Sequence, residues 1–350
     1  MTDETPGPHV RRPRYRGSHP RAFHEKYKEL NPERYAEDVA RVLSSGKTPA
    51  GTHRPVMVRE VLDVLAPEPG QFAVDATLGY GGHALELLRA LRPGGRLLAL
   101  DVDPVELPKT EARLRALDNP PESLIVRRGN FAGLARVLID QSLPQADVVL
   151  ADLGLSSMQI DDPTRGFTYK RPGPLDLRMN PQRGRPAAAL LASLDAATLA
   201  QLLDENADQP GALWLADALV ERQRLAPIVT TTELADAVRE VMRPKRGRDD
   251  DEVETSIRRV FQALRVAVND EFAALQAFLR QLPDCLASGG RVAILTFHSG
   301  EDRRVKQAFK EGVRAGVYRR IAEDVTRAGA DERRANPRSS SAKLRWAIRA

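Results

Sequence analysis

Gln71-Phe72-Ala73-Val74-Asp75-Ala76-Thr77-Leu78-Gly79-Tyr80-Gly81-Gly82-His83 is the stretch that decides the fold. A short apolar run ends in an acid. A glycine-rich turn follows, and Gly81 to Leu91 has the spacing of a helix. Strand, glycine turn and helix form the opening unit of a nucleotide-binding α/β fold, because glycines let the backbone approach a ligand and a helix N-terminus offers unpaired N–H groups. For the loop in isolation, a turn that uses glycines for steric reasons alone is the competing reading.

The same texture continues outward. Arg96 to Asp101 is a second strand ending in an acid, Ser123 to Arg127 a third, and Ala146 to Asp152 a fourth. Helices are expected over Val56–Leu65 and about Val105–Leu117. Strands alternating with helices imply a parallel sheet covered on both faces. Residues 160–259 differ. They offer helices over 187–205, 211–222 and 232–242, a mixed-charge loop over 243–252, and no strand beyond Ile228-Val229. A long helical region then runs from Val260 to Ala287. Strands return at Gly290–Phe297 and Lys343–Ile348. The expected fold class is therefore α/β: a doubly wound, mostly parallel sheet over 53–159 and 260–350, with a helical insertion over 160–259. Residues 1–52 read as a basic extension, partly disordered, with arginines, lysines and the aromatics Tyr15, Phe23 and Tyr27 interleaved between His9 and Lys28, followed by a short helix from Pro32.

The ligand follows from charge. Gly79-Tyr80-Gly81-Gly82 lacks the G-x-G-x-x-G spacing of dinucleotide sites. Asp75 directly before the turn would repel a pyrophosphate. It suits a ligand with a sulfonium and an ammonium, as S-adenosylmethionine has. Asp101, about twenty residues on, stands where such folds place an acid for two ribose hydroxyls. Ligands in open parallel sheets bind beyond the carboxyl ends of the strands, so Asp75, Asp101 and Asp152 should share one crevice, with Asp147 on the far side in a structural role.

Composition bounds the rest. The net charge of +5 permits nucleic-acid binding without establishing it. No window approaches the run of about eighteen apolar residues that a membrane helix needs. The start Met1-Thr2-Asp3-Glu4 has no apolar segment of the secretory kind. A single cysteine, Cys285, excludes an internal disulfide and a cysteine-based zinc site, and makes the cytoplasm the expected compartment. At the end of an apolar helical stretch it reads as a packing residue.

Eight motifs occur in order: Asp75 to His83, Asp152 to Asp161, Arg165 to Tyr169, Gly173 to Met179, Phe261 to Arg265, Val268 to Glu271, Phe297 to Arg303 and Asn336 to Arg338. From about His53 onward the chain resembles the bacterial 16S ribosomal RNA cytosine-N4 methyltransferases. The resemblance implies a Rossmann-like class I S-adenosylmethionine-dependent core with a helical insert that recognises RNA, and a cytidine of the small-subunit decoding centre as acceptor. It implies that Gly79, Gly81, Gly82 and His83 hold the methionine end, that Asp101 holds the ribose, that Phe131 lies beside the adenine, and that Asp152 and Gln159 complete the site. Four departures stand out. The N-terminal fifty residues lie outside the family's usual pattern. The family's Gly-Glu-Glu segment is Ala207-Asp208-Gln209, its His-Pro-Ala-Thr is Thr255-Ser256-Ile257-Arg258, and its Leu in Phe-His-Ser-Leu-Glu-Asp is Gly300.

In-line transfer to an exocyclic amine needs positioning and a hydrogen-bond acceptor for the amino hydrogens, and no metal. Asp152 is the expected acceptor, with the loop after it; a strand-end acid capping a turn is the competing reading. Ser156 either assists or closes the turn. His298 either approaches the base or is structural. Phe167 and Tyr169 are candidates to stack on an extruded base, or are packing aromatics. Asp176 either contacts substrate or pairs with Arg178 or Arg165; Arg178 is the basic candidate beside it. The expected partner is 16S rRNA or the small subunit. Oligomeric state is left open, a homodimer included. A paralogue acting on another nucleic-acid amino group, and a cofactor-binding assembly factor without essential catalysis, are the alternative functions.

Overall fold

The computed structural model describes residues 55–117, 121–242 and 250–350. The expectations for the basic extension, for the helix after Pro32 and for 243–249 fall outside these residues. Seven strands form one sheet: β1 (Phe72–Asp75), β2 (Arg96–Asp101), β3 (Leu124–Arg128), β4 (Ala146–Asp152), β5 (Leu286–Thr296), β6 (Tyr318–Ile321) and β7 (Lys343–Arg349). Their spatial order is β3-β2-β1-β4-β5-β7-β6. The first five run parallel, β7 runs antiparallel to β5, and β6 antiparallel to β7. β6 carries no alternation strong enough to be read from sequence. Its Tyr318 is buried and Arg319 and Arg320 are exposed, as suits a short charged edge strand.

Alternate residues of the central strands face opposite layers. Ala73, Leu97, Ala99, Val148, Leu150, Ala293 and Leu295 meet α1 (Val58–Leu65), α2 (Gly82–Ala90) and α3 (Leu107–Arg115). Val74, Leu98, Leu100, Val149, Ala151, Val292 and Ile294 meet α4 (Leu134–Asp140) and two later helices, α11 (Glu271–Cys285) and α12 (Ser299–Arg314). Cys285 is buried in this second layer, where burial pushes its thiol up to about 12. At the amino edge Asp147 accepts the Phe72 N–H at 2.8 Å, tying the start of β1 to that of β4, far from the carboxyl edge.

After β4 come a short helix, α5 (Ser157–Asp161), and then the insert helices α6 (Ala187–Ser193), α7 (Ala196–Ala207), α8 (Ala212–Leu225), α9 (Thr231–Met242) and α10 (Asp250–Val268). The span read as one helix over 187–205 is two. Asp195 breaks it by capping α7, its carboxylate accepting the Thr198 N–H at 2.8 Å. The long region from Val260 is also two helices, separated where Asp270 takes φ +49. The insert has a core of its own, from Phe167 through Leu199, Leu215, Leu234, Ile257 and Val260 to Leu264. α10 is continuous across positions 259 and 260, where the sequence suggested a change of layer, so the insert's packing runs further along the chain.

Two polar joints hold the insert's loop at 177–179, and one of them also reaches the sheet. Asn269, after α10, accepts the Met179 N–H at 2.8 Å and donates to the Leu177 carbonyl at 2.8 Å. Arg165 reaches Asp103, just past β2, at 2.8 Å, and its other nitrogen donates to the Met179 carbonyl at 2.8 Å. Both Asp103 and Arg165 are buried. Removing one partner of a buried pair strands the other charge and costs about 3–5 kcal/mol. Arg165→Met is therefore expected to lower the unfolding free energy by that amount, and Arg165→Met with Asp103→Asn by less than the sum of the two single changes, as measured by urea denaturation.

Candidate active site

The register of the sheet builds the crevice. Asp75 pairs with Ala99 on β2 and with Leu150 on β4, so Asp101 and Asp152 each end two residues farther along the same edge. Thr77 links two of the three acids. Its N–H donates to Asp75 at 3.0 Å, and its hydroxyl accepts the Asp152 N–H at 2.6 Å. Asp101 accepts the Gly79 N–H at 2.7 Å on one oxygen and the Asp103 N–H at 2.8 Å on the other. A carboxylate oxygen has a second lone pair, so both retain capacity for a ligand.

Burial dominates the electrostatics. It raises the Asp75 carboxyl to about 7, with the Thr77 N–H and His83 opposing and the charges of Asp152 and Asp101 adding. Burial likewise raises Asp101. For His83 burial works to lower the imidazole, but Asp152 and then Asp75 outweigh it, and the net shift is upward.

The glycine turn is shaped by contact. Gly81 lies at φ +76, and a Cβ there would stand 2.8 Å from Thr110 Cγ2; at Gly82 it would meet Pro55 at 2.7 Å. Gly79 also has positive φ, and the Thr110 hydroxyl donates to its carbonyl at 2.8 Å. Arg113 stacks over the Tyr80 ring with its guanidinium carbon 3.4 Å from the centroid. His83, the second residue of α2, is buried, and its Nε2 lies 3.5 Å from Asp152 Oδ2. Asp152 Oδ1 is buried with no hydrogen-bond partner among the described residues. Phe131 follows β3, edge-on to Phe278 with centroids 5.4 Å apart, after Asn130 caps the turn by accepting the Ala132 N–H.

Ser156 and Gln159 form a reciprocal cap at the start of α5: the Gln159 N–H donates to the serine hydroxyl at 3.3 Å, and the Ser156 N–H to the glutamine oxygen at 2.9 Å. The geometry thus favours turn closure for Ser156. Gln159 Nε2 donates to Asp103 at 2.7 Å, beside Arg165. Asp103 is the site residue that sequence reading passed over. The signal was present as a second acid two residues after Asp101.

Other candidates lie elsewhere. Phe167 packs into the insert core, its ring 5.8 Å from the Arg165 guanidinium carbon, so packing is favoured over base stacking. Tyr169 is half-buried on Phe261, with centroids 5.2 Å apart. Asp176 and Arg178 form a two-pronged pair at 2.8 and 2.7 Å. Burial would raise the Asp176 carboxyl, but Arg178 holds it below the usual range. His298 lies 3.2 Å from Glu301 and against Phe272. Glu271, a third member of that cluster, already has both oxygens on Arg265, at 2.8 and 2.9 Å.

The departures explain one another. Gln209 is buried and donates to Ser256 at 3.3 Å, joining two altered segments. Asp208 accepts from the Ser299 hydroxyl at 2.6 Å and from Arg303 at 2.9 Å, linking the end of α7 to the start of α12. At Gly300 a Cβ would stand 2.5 Å from the Phe272 ring, so that ring excludes a larger residue.

The crevice offers three acids, a glycine cradle that side chains would fill, and an unpartnered carboxylate oxygen. This donor set fits a cationic ligand. Residues 50–350 match the model of the MraW methylase family. The chain belongs to the MraW methylase family. Its cofactor is S-adenosylmethionine, and its core is the class I methyltransferase fold. Among its relatives, ribosomal RNA small subunit methyltransferase H 2 of Alkaliphilus metalliredigens is 49% identical over 97% of this chain and 97% of its own length. Methyltransferase H 1 of Lachnoclostridium phytofermentans is 49% identical over 98% and 93%. These matches take in nearly all of the N-terminal extension. Methyltransferase H of Thermomicrobium roseum is 40% identical over 85% of this chain and 94% of its own. A solved S-adenosylmethionine-dependent methyltransferase from Aquifex aeolicus has 11% identity and a TM-score of 0.38, covering 93% of this chain and 98% of that one.

With Asp75 near 7, a cationic ligand favours the ionised carboxylate, so binding expels a proton. Affinity for S-adenosylmethionine should rise with pH up to about tenfold per unit below 7 and level off above it. Discharge of His83 acts in the same direction. Calorimetry in buffers of different ionisation enthalpy checks this, and Asp75→Asn should flatten the dependence. Separately, Gly300→Leu should cost about 1–3 kcal/mol through overpacking against Phe272, and pairing it with Phe272→Ala should recover part of that loss in thermal melts.

Proposed function

We propose that the chain methylates ribosomal RNA of the small subunit, at the exocyclic N4 of a decoding-centre cytidine in 16S rRNA. The observation that carries this reading is the unpartnered, buried Oδ1 of Asp152 at the carboxyl edge of β4, beside the glycine cradle. The relatives' names support ribosomal RNA of the small subunit as substrate, and the ordered motifs support the cytosine amino group.

The cytosine amine is a weak nucleophile because its lone pair is delocalised into the ring. An acceptor for an amino hydrogen localises that pair. Asp152 Oδ1 supplies the acceptor, and Thr77 fixes the backbone behind it. When bound, S-adenosylmethionine supplies a methyl carbon made electrophilic by its sulfonium, and the C–S electron pair leaves with sulfur as the amine lone pair forms the C–N bond. The amine then sheds one proton, which passes to Asp152 Oδ1. Gly79, Gly81, Gly82 and His83 would hold the methionine end, Asp101 the ribose and Phe131 the adenine face. Asp75 lies nearest the cradle and offsets positive charge there. Gln159 acts through Asp103, holding the floor of the site. The base must leave any stack to reach this edge. Half-buried Tyr169 and the Asp176–Arg178 pair present the insert's polar and aromatic groups for RNA. The basic extension supplies further cations for phosphates.

Nucleoside analysis of small-subunit RNA from a deletion strain tests the reading. N4-methylcytidine should disappear and return with the wild-type gene but not with Asp152→Ala. Unchanged N4-methylcytidine would refute the site. Loss of a different methylated nucleoside would favour the paralogue reading, and full rescue of growth by Asp152→Ala the assembly factor.

A further inference from the structure

We propose that His83 is a positioning residue for methyl transfer: its Nε2–H holds Oδ2 of Asp152, so that Oδ1 is presented to the reacting amine. This rests on the reading of Asp152 as acceptor. It assigns the imidazole a task beyond lining the cofactor cradle.

Both ends of the contact are built rigidly. Asp152 closes β4, where pairing with β5 and the Thr77 hydroxyl at 2.6 Å fix its backbone. His83 sits in the first turn of α2, behind glycines pressed against Thr110 and Pro55. The remaining freedom is rotation of the Asp152 carboxylate. One of its oxygens faces a buried imidazole nitrogen 3.5 Å away, and the other has no partner among the described residues. At 3.5 Å the contact is short of a hydrogen bond. Contacts of this kind tighten when the reacting complex closes. The charged groups around the ring are Asp152 on β4, Asp75 on β1 and Glu332 on α13 (Ala330–Ala335). Asp75 is engaged by the Thr77 N–H and Glu332 by the Met57 N–H at 2.7 Å. Of these, Asp152 is the carboxylate that places an oxygen against the imidazole, with Oδ2 3.5 Å from Nε2.

The logic is that of an oriented acceptor. A carboxylate that rotates freely offers its lone pair in the right direction for a fraction of the time, and misplacement of a reacting group by about 1 Å costs on the order of 100-fold in rate. Glutamine separates donation from every other property of histidine. Its amide can place an N–H near the imidazole Nε2 position, but it neither titrates nor stacks as a ring.

The test compares His83→Gln, His83→Leu and Asp152→Asn. Three measurements are made: kcat with small-subunit RNA, the Kd for S-adenosylmethionine by calorimetry, and the titration of the His83 imidazole by NMR in the cofactor-free protein. At saturating S-adenosylmethionine, His83→Leu should lose about 100-fold in kcat whatever its effect on Kd, and His83→Gln should recover most of that loss. Asp152→Asn should lower the midpoint of His83. Equal kcat losses in the two His83 variants, or a His83→Leu kcat restored to the wild-type value by saturating S-adenosylmethionine, overturns the positioning role. Wild-type turnover in Asp152→Asn overturns the underlying assignment of the acceptor instead. A dead Asp152→Asn beside indifferent His83 variants overturns only the present proposal.

Discussion

Asp75 and Asp101 are held, with Asp152 beside them, at a sheet edge where burial opposes their ionisation, and that constraint organises this molecule. Parallel register forces Asp75, Asp101 and Asp152 onto one edge. Burial then strengthens their mutual field. The fold answers with backbone N–H groups from Thr77, Gly79 and Asp103, and with the imidazole of His83. These partners compensate the acids incompletely, as the upward shifts of Asp75 and Asp101 record. A crevice left in that condition gains most from a positive ligand. The preference for a sulfonium cofactor is therefore built into the sheet before any contact specific to that cofactor is made.

A fourth acid has a different solution. Asp103 is buried with a full complement: a guanidinium, a glutamine amide and the N–H groups of Val105 and Glu106. It spends its charge on architecture. Because Arg165 also gathers carbonyls from the loop that opens the insert, that loop and the turn after β2 share one hydrogen-bond network. From behind α10, the Asn269 side chain holds the same loop through the Met179 N–H and the Leu177 carbonyl.

The α/β fold and the kind of cofactor were legible because their signals are local. A strand ending in an acid, a turn with the wrong glycine spacing for pyrophosphate, and a second acid one strand later all lie within thirty residues. Asp147 could be set aside from its place at a strand start alone. What stayed hidden depends on distant partners. Whether Ser156 is chemical or a cap turns on the rotamer of Gln159. Whether Phe167 meets a base or a core turns on helices brought together only by tertiary packing. The Asp103–Arg165 pair joins residues sixty-two apart in sequence. β6 was missed because an edge strand of four residues with two exposed arginines carries almost no period-two pattern. Helix breaks at Asp195 and Asp270 were missed because caps inside apolar stretches are masked by the surrounding periodicity.

The continuity of α10 has a consequence for how this chain can diverge. A helix that begins in the insert and ends at Asn269, whose side chain holds the loop at Leu177 and Met179, makes the insert a lever rather than an appendage. A substitution on its buried face is felt at the loop bearing Leu177 and Met179, and from there by Arg165. Substitution in the insert must then be matched by its neighbours, as the contact of Gln209 with Ser256 and the close approach of Gly300 to Phe272 require. Inserts from two relatives would exchange cleanly only if the whole of α10 and the asparagine behind it moved together.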